Sequence, residues 1–323
     1  MASVDPNAAR FPGVAQKAGH YESFYLKLCH PGEPLGAWLR YTVHKRPGGA
    51  PTRSLWFTLF EPGGPRAAKV TAAAPRTGDG DWLSVGEARL GPGRAEGSIA
   101  GQVEWNLRFE SGEPPLLHLP RHWMYSARLP RTKLLSPLPG ARFDGTLLVD
   151  GREVVVDGWR GMVGHNWGAQ HAERWIWLHG LTEDGDWLDA ALGRVKLGPV
   201  TTPWIANGAL SVAGERHVLG GPARRVEVDE SPDSCAFLLP GKGMRVRGTV
   251  SAPRERFVGW VYADPDGGEH HTVNCSIADM RLAVERSGGG ASWELEVRGG
   301  AAYELGMREH DHGMRIQPFP DGA

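Results

Sequence analysis

Short runs in which apolar and polar residues alternate, each closed by Gly or Pro, constrain this chain more than any other feature. His20-Tyr21-Glu22-Ser23-Phe24-Tyr25-Leu26-Lys27-Leu28 ends at Pro31-Gly32, and Gly36 to His44 and Ser54 to Glu61 repeat the style. Residues two apart share a face of a β-strand, so this period describes strands with a buried face. No window sustains apolar residues at i, i+3, i+4 and i+7 with helix caps, and the chain is expected to be mostly β. The 45 Gly and 25 Pro fall between the alternating runs and not in one tract, which favours many strands joined by tight turns.

One stretch breaks the rhythm. Gly112 to Gly140 carries Pro at 114, 115, 120, 130, 137 and 139. Proline removes ladder donors and fixes φ, so the stretch reads as a connector and sets the expected division. Residues 1–19 are an irregular arm, 20–138 a β domain that includes the connector, and 139–323 a second β domain. Asp150-Gly151 predicts a hairpin turn between Arg142 to Val149 and Glu153 to Val156.

Several function classes are excluded by what the sequence lacks. Lys+Arg 36 against Asp+Glu 37 gives a net charge of -1, so bulk charge attracts neither nucleic acid nor an anionic membrane. No GxGxxG, GxxxxGK[ST] or GxSxG occurs, and no cofactor is expected. The spacings of His165, His171 and His179 match no common helical zinc motif, and no metal is expected. Cys29, Cys235 and Cys275 are odd in number and lack a CxxC, which suggests free thiols in a reducing compartment. The N-terminus has no cationic start followed by an apolar core, and no run of about 18 apolar residues occurs. The expectation is a cytoplasmic protein without a transmembrane segment; its oligomeric state is left open.

Chemistry is expected between Trp159 and Leu192. His165-Asn166-Trp167 and Trp187-Leu188-Asp189 each set two functional side chains at i and i+2, and Trp175 to His179 lies between them. On neighbouring strands these give one face with an imidazole, a carboxylate and indole walls. Protonating an alkene needs a donor shielded from water, and aromatic faces stabilise the resulting cation. Asp189 suits the donor role if an apolar setting raises its pKa, with His165 supporting it and Trp167, Trp175 and Trp177 walling the cation. The competing reading has Asp189 ending a hairpin or pairing with Arg194, and the Trp residues as core. A two-residue loop at Asp184-Gly185 puts Asp189 on the face of Ile176 and Leu178, whereas a three-residue loop puts it on the face of Trp175, Trp177 and His179. In the first half Tyr25, Trp38 and Arg40 again join polar and aromatic groups. There Glu22 or Arg40 faces a ligand, or the two brace strands as a pair.

The blocks YESFYLKLCHPGEPLGAWLRYTVH, GWRGMVGHNWG, WIWLHG and DWLDAAL resemble the hydroxyneurosporene synthase (carotenoid 1,2-hydratase)-like superfamily, to which tocopherol cyclase and the lipocalin-like fungal Diels-Alderases are structural relatives. The resemblance implies an all-β protein of two consecutive lipocalin-like antiparallel β-barrel or sandwich domains, with an apolar ligand near their interface. The hydratases' His-x-Trp is matched by His165-Asn166-Trp167. Their Tyr-x-Asp is matched at Asp189 only, because Trp187 replaces the Tyr and removes a hydroxyl able to orient water. The expected function is an enzyme, of the lyase or isomerase kind, that hydrates, cyclises or isomerises a hydrophobic, alkene-containing isoprenoid or polyketide-like molecule by acid catalysis. Asp189 and His165 are its expected catalytic residues, and Trp167, Trp175, Trp177, Trp187, His179, Tyr25, Trp38 and Arg40 its expected substrate contacts. The alternatives are a lipocalin-like carrier without turnover and a cofactor-free cycloaddition catalyst, in which pocket shape does the chemistry.

Overall fold

The structure, a computed structural model, describes residues 5–73, 76–78, 80–221, 224–287, 292–308 and 312–318. Among them there is no α-helix. The alternating runs become β1 (His20–Cys29), β2 (Gly36–Lys45), β3 (Thr52–Phe60), β4 (Arg66–Ala73), β5 (Arg76–Gly78), β6 (Asp81–Val85), β7 (Ala88–Gly91), β8 (Arg94–Ile99), β9 (Val103–Glu110), β10 (Leu116–Leu117), β11 (Thr132–Val149) and β12 (Arg152–Gly168). Beyond them come β13 (Arg174–Leu181), β14 (Trp187–Arg194), β15 (Lys196–Leu197), β16 (Val200–Thr201), β17 (Ile205–Val212), β18 (Glu215–Gly220), β19 (Glu227–Ser231), β20 (Ser234–Gly241), β21 (Met244–Ser251), β22 (Val258–Ala263), β23 (Glu269–Arg286) and β24 (Trp293–Met307).

Two large antiparallel sheets result. The first runs β4-β3-β2-β1-β12-β11-β9-β8-β7-β6-β5, with β10 on β11. The second runs β18-β17-β14-β13-β24-β23-β21-β20-β19. In it β18 also meets β20 through Leu219 and Gly241, closing eight strands into a barrel. The all-β, lipocalin-like architecture expected from the sequence is therefore present.

The change of sheet comes after Gly168, and the expected boundary at residues 138 and 139 falls inside β11. Pro137 and Pro139 are thus strand residues. The ladder to β12 is interrupted on both sides of Leu138, so neither proline removes a bond that the sheet uses. At Asp150-Gly151 the predicted turn forms, with φ of 50 and 79°, the left-handed pair that a tight hairpin requires.

Strand β1 is buried on both faces, and this sets the layout. Phe24, Leu26 and Leu28 pack inside the first sheet with Leu39 and Tyr41 of β2 and Trp105 of β9. The Trp105 indole donates to the Tyr41 hydroxyl at 2.7 Å, so its N–H is not stranded. The opposite face of the same sheet turns toward the barrel. Trp38, Trp56 and Phe60 join Trp260, Ile277 and Tyr303 in the barrel's own core cluster. Each such side chain stabilises the contact between sheets by about 1.5–3 kcal/mol.

The N-terminal arm, without strand or α-helix among its described residues, is fastened to the first sheet. The amides of Arg10 and Phe11 donate to the Glu22 carboxylate at 2.7 and 2.8 Å, and Pro6 O accepts from His165 Nδ1 at 3.0 Å. Residues 1–4 lie outside the described residues. All three cysteines are free and buried, and no helix among the described residues is long and apolar enough to cross a membrane.

Candidate active site

Between the outer face of the first sheet and the outside of the barrel lies a cavity of about 290 Å³. That is near the low end of the roughly 300–1,000 Å³ usual for small-molecule pockets. One wall comes from Tyr21 and Tyr25 on β1 and Trp38 and Arg40 on β2, and the register carries the row on from Arg40 to Trp56 on β3 and Lys69 on β4 behind it. The barrel contributes Trp175, Trp177, Ala191, Gly193, Tyr262 and Glu304. The proline-rich connector supplies a cap from Leu119, Pro120, Met124 and Pro130. Two glycines let the aromatic walls lie flat. A Cβ on Gly164 would stand 2.1 Å from the Tyr25 ring, and one on Gly306 2.1 Å from the Trp175 ring.

Of the sequence-predicted residues, Tyr25, Trp38, Arg40, Trp175 and Trp177 line this cavity. His165 and Trp167 do not. They share a face, as i and i+2 must, but it is the inner face of the first sheet. His165 stacks on Phe24 at 3.8 Å, and Trp167 packs with Leu119, Tyr125 and Leu135. Asn166, between them, points the other way and lines the cavity.

His165 is bound to Glu22 and not to Asp189. Its Nε2 lies 2.9 Å from Glu22 Oε1 and its Nδ1 3.0 Å from Pro6 O, so both nitrogens are used. Burial alone raises the Glu22 carboxyl, but His165 and His20 outweigh it and hold the group at about 2. The Glu22–Arg40 brace does not form, because the two project from opposite faces. Arg40 Nε donates to Ser23 Oγ at 2.7 Å.

Asp189 pairs with His179 across a five-residue loop, a register neither sequence alternative contained. It does share the face of Trp175, Trp177 and His179. Fully buried, it sits behind Trp177, whose indole donates to Oδ1 at 3.3 Å, and it is outside the cavity lining. Ser136 Oγ donates to Oδ2 at 2.5 Å, and His118 Nε2 lies 3.4 Å from the same oxygen. Burial pushes the Asp189 carboxyl up, yet His118 and Ser136 hold it below the usual carboxylate range. His118 is raised by the same pairing, against its own burial. The donors around Asp189 therefore favour its charged form, whereas the acid-catalysis expectation requires the neutral acid.

His179 and Trp187 are also outside the lining. Burial and then Lys27 lower His179 to about 4; its Nε2 donates to Pro139 O at 3.0 Å and its Nδ1 lies 3.4 Å from Lys27 Nζ. Trp187 packs on Leu116 and Ala209, with the Arg216 guanidinium 5.1 Å over its ring.

The structure instead brings His171 to the cavity, on the link between β12 and β13. Its backbone N–H and its Nδ1 both donate to Asp264 Oδ1 at 2.7 Å, while Nε2 has no hydrogen-bond partner among the described residues. Tyr21 stacks on the ring at 3.9 Å and 16°, and Trp175 lies 5.4 Å away at 23°. Burial raises the Asp264 carboxyl, but its bonds from His171 bring it below the ordinary value. His270 stands beyond, lowered to about 3 by burial and by His171. Ligating atoms of His171, Asp264 and His270 come within 4.8 Å of one another, close enough to embrace a cation. Asp264 is already committed, however, to two bonds from His171 and to Arg308 Nη2 at 3.5 Å. We assign the group as an Asp–His pair.

Glu304 completes the polar lining, accepting from Trp175 Nε1 at 2.9 Å, Asn274 Nδ2 at 2.9 Å and the Tyr262 hydroxyl at 3.2 Å. Sequence reading missed Asn166, Tyr262 and Glu304 and weighed His171 only as a metal ligand. Asp264 lies 93 residues from His171, so no local spacing signals the pair.

No protein-family model matches this chain. An uncharacterised protein of Mycobacterium tuberculosis is 27% identical over 336 residues, covering 95% of this chain and 93% of that protein. Among solved structures, kievitone hydratase from Nectria haematococca is similar with a TM-score of 0.53 and 11% identity, over 92% of this chain and 90% of its own. CghA in complex with Sch210972 gives 0.58 and 12%, over 96% and 97%. A protein described as AttH from Nitrosomonas europaea gives 0.56 and 15%, over 95% and 99%. At these identities the likeness is one of fold.

Proposed function

We propose that this protein is an enzyme that binds a hydrophobic, alkene-containing small molecule between its sheets and moves a proton on it, in a hydration, cyclisation or isomerisation. His171 is the proton-transfer group and Asp264 positions it. One observation carries this reading: in a cavity walled by aromatic rings, His171 has one nitrogen fixed by a carboxylate and the other unfilled. With Nδ1 donating to Asp264, the lone pair resides on Nε2, which is free to take a proton. The imidazolium so formed is stabilised by the adjacent carboxylate and returns the proton as an acid. Tyr21 and Trp175 hold the ring plane, and the apolar lining keeps bulk water from the intermediate. The fold likeness to kievitone hydratase supports a hydratase-type reading.

The test uses wild type and His171→Asn with geraniol, farnesol, retinol and β-ionone. Binding is followed by quenching of Trp fluorescence and conversion by mass spectrometry. The proposal expects wild type to convert at least one bound probe and the variant to bind it without converting it. Binding by both with conversion by neither points to a carrier. Conversion that survives in His171→Asn but is lost in Asp189→Asn returns the proton transfer to Asp189.

A further inference from the structure

The cavity wall carries a buried cation. Arg40 is 4% exposed, lines the cavity, and its side chain makes one hydrogen bond among the described residues, from Nε to Ser23 Oγ. Its Nη1 has no partner, and it forms no ion pair among the described residues. A buried guanidinium with an unfilled nitrogen is costly unless something anionic or strongly dipolar meets it in the working state.

On the Arg40 side of the cavity the rings of Tyr262 and Trp56 are already faced by cations. The Arg40 guanidinium lies 4.0 Å over the Tyr262 ring and 5.3 Å over Trp56, and Lys69 Nζ sits 4.1 Å over Trp56. A second positive charge formed beside them would be repelled. Glu304, which also lines the cavity, has its oxygens met by three neutral donors and forms no ion pair with Arg40. Negative charge developing near Arg40 would be met by an oriented donor in a dry site.

The geometry points to a substrate whose alkene is conjugated to a carbonyl, with Arg40 receiving the carbonyl oxygen and stabilising it as an enolate; this rests on the proposed proton-transfer role of His171. In hydration, His171 Nε2 takes a proton from water as the water oxygen bonds to the β-carbon. The alkene pair moves to form the bond between α-carbon and carbonyl carbon, and the carbonyl pair moves onto oxygen, facing Arg40. The imidazolium then returns its proton to the α-carbon and the carbonyl re-forms. Run backwards, the sequence eliminates water. Proton removal from the γ-carbon and return elsewhere shifts the double bond. No oxidant is needed, water is the one co-reactant of the hydration and the double-bond shift consumes none, and the charge passes through an anion and not a cation.

The experiment compares two probes on wild type, Arg40→Met and Arg40→Lys. β-Ionol, a neutral alcohol, reports the apolar cavity by Trp quenching and shows that each variant retains it. Benzoylacetone, a 1,3-diketone whose enolate has its own ultraviolet band, reports the charge preference. Wild type is expected to hold at least roughly tenfold more of the bound diketone as enolate than free solution at the same pH. Arg40→Met should lose that gain while still binding β-ionol, and Arg40→Lys should recover part of it. Equal enolate fractions on wild type and Arg40→Met, with β-ionol bound by both, overturn the enolate inference and leave the cavity reading intact. Failure of wild type to bind either probe overturns the cavity reading and the inference with it.

Discussion

Two buried histidine–carboxylate pairs, Glu22–His165 and Asp264–His171, look alike as residue types and differ in what surrounds them. In the first, both imidazole nitrogens face acceptors, the carboxylate also receives two backbone amides from the N-terminal arm, and Phe24 seals the ring. Every valence is used, and the pair fastens the arm to the first sheet. In the second, one nitrogen is fixed and the other is unfilled beside a cavity. The lesson is that capacity for chemistry follows the unfilled valence and the adjoining space. A third pair, His118–Asp189, belongs with the first kind, since Ser136 and the Trp177 indole take up the remaining carboxylate capacity.

This contrast can be broken by exchanging the substitutions. His171→Asn should lower turnover of any converted probe by about 10²–10⁴-fold and leave the denaturant midpoint nearly unchanged. Next in size, Glu22→Ala leaves His165 and the Arg10 and Phe11 amides without their acceptor. It should cost about 3–5 kcal/mol in urea unfolding and expose the arm to protease, with ligand binding to the folded protein unaffected. A stability loss in His171→Asn equal to that in Glu22→Ala would erase the distinction.

The pH dependence sharpens it. Glu22 is held at about 2 against an ordinary value of 4.5, so the stability it contributes is fully present above 4.5 and is lost as pH falls toward 2. That amounts to about 3 kcal/mol. Urea midpoints measured down that range should fall in wild type and fall less in Glu22→Gln. The smallest effect expected is that of Gly306→Ala. Its Cβ displaces the Trp175 ring, so β-ionol binding should weaken by about tenfold, while Glu22→Ala leaves it unchanged.

Much of the fold was legible because strand period is local. Strands β1 and β2 were read within a residue of their ends, and the Asp150-Gly151 turn from its dipeptide alone. The proline-rich stretch misled because Pro137 and Pro139 sit in ladder interruptions, and nothing in the sequence marks where a long strand is bulged. The site was half legible for a related reason. Alternation says that His165 and Trp167 share a face but not which face, and a strand buried on both sides gives no polar face to decide it. Tyr25, Trp38 and Arg40 fell on the cavity side, whereas the His-x-Trp motif fell on the other and gave the cavity its middle residue, Asn166. His171 lies on a link outside the strand pattern, and its partner arrives through the tertiary fold.

The most direct test of the central claim is to observe the two histidines in the same sample. With ¹⁵N-labelled imidazoles, assigned by His171→Asn and His165→Asn, β-ionol is titrated into the wild-type protein. The account predicts that the His171 Nε2 resonance moves with ligand occupancy while both His165 nitrogens stay fixed. Movement of His165 with a stationary His171 would contradict it.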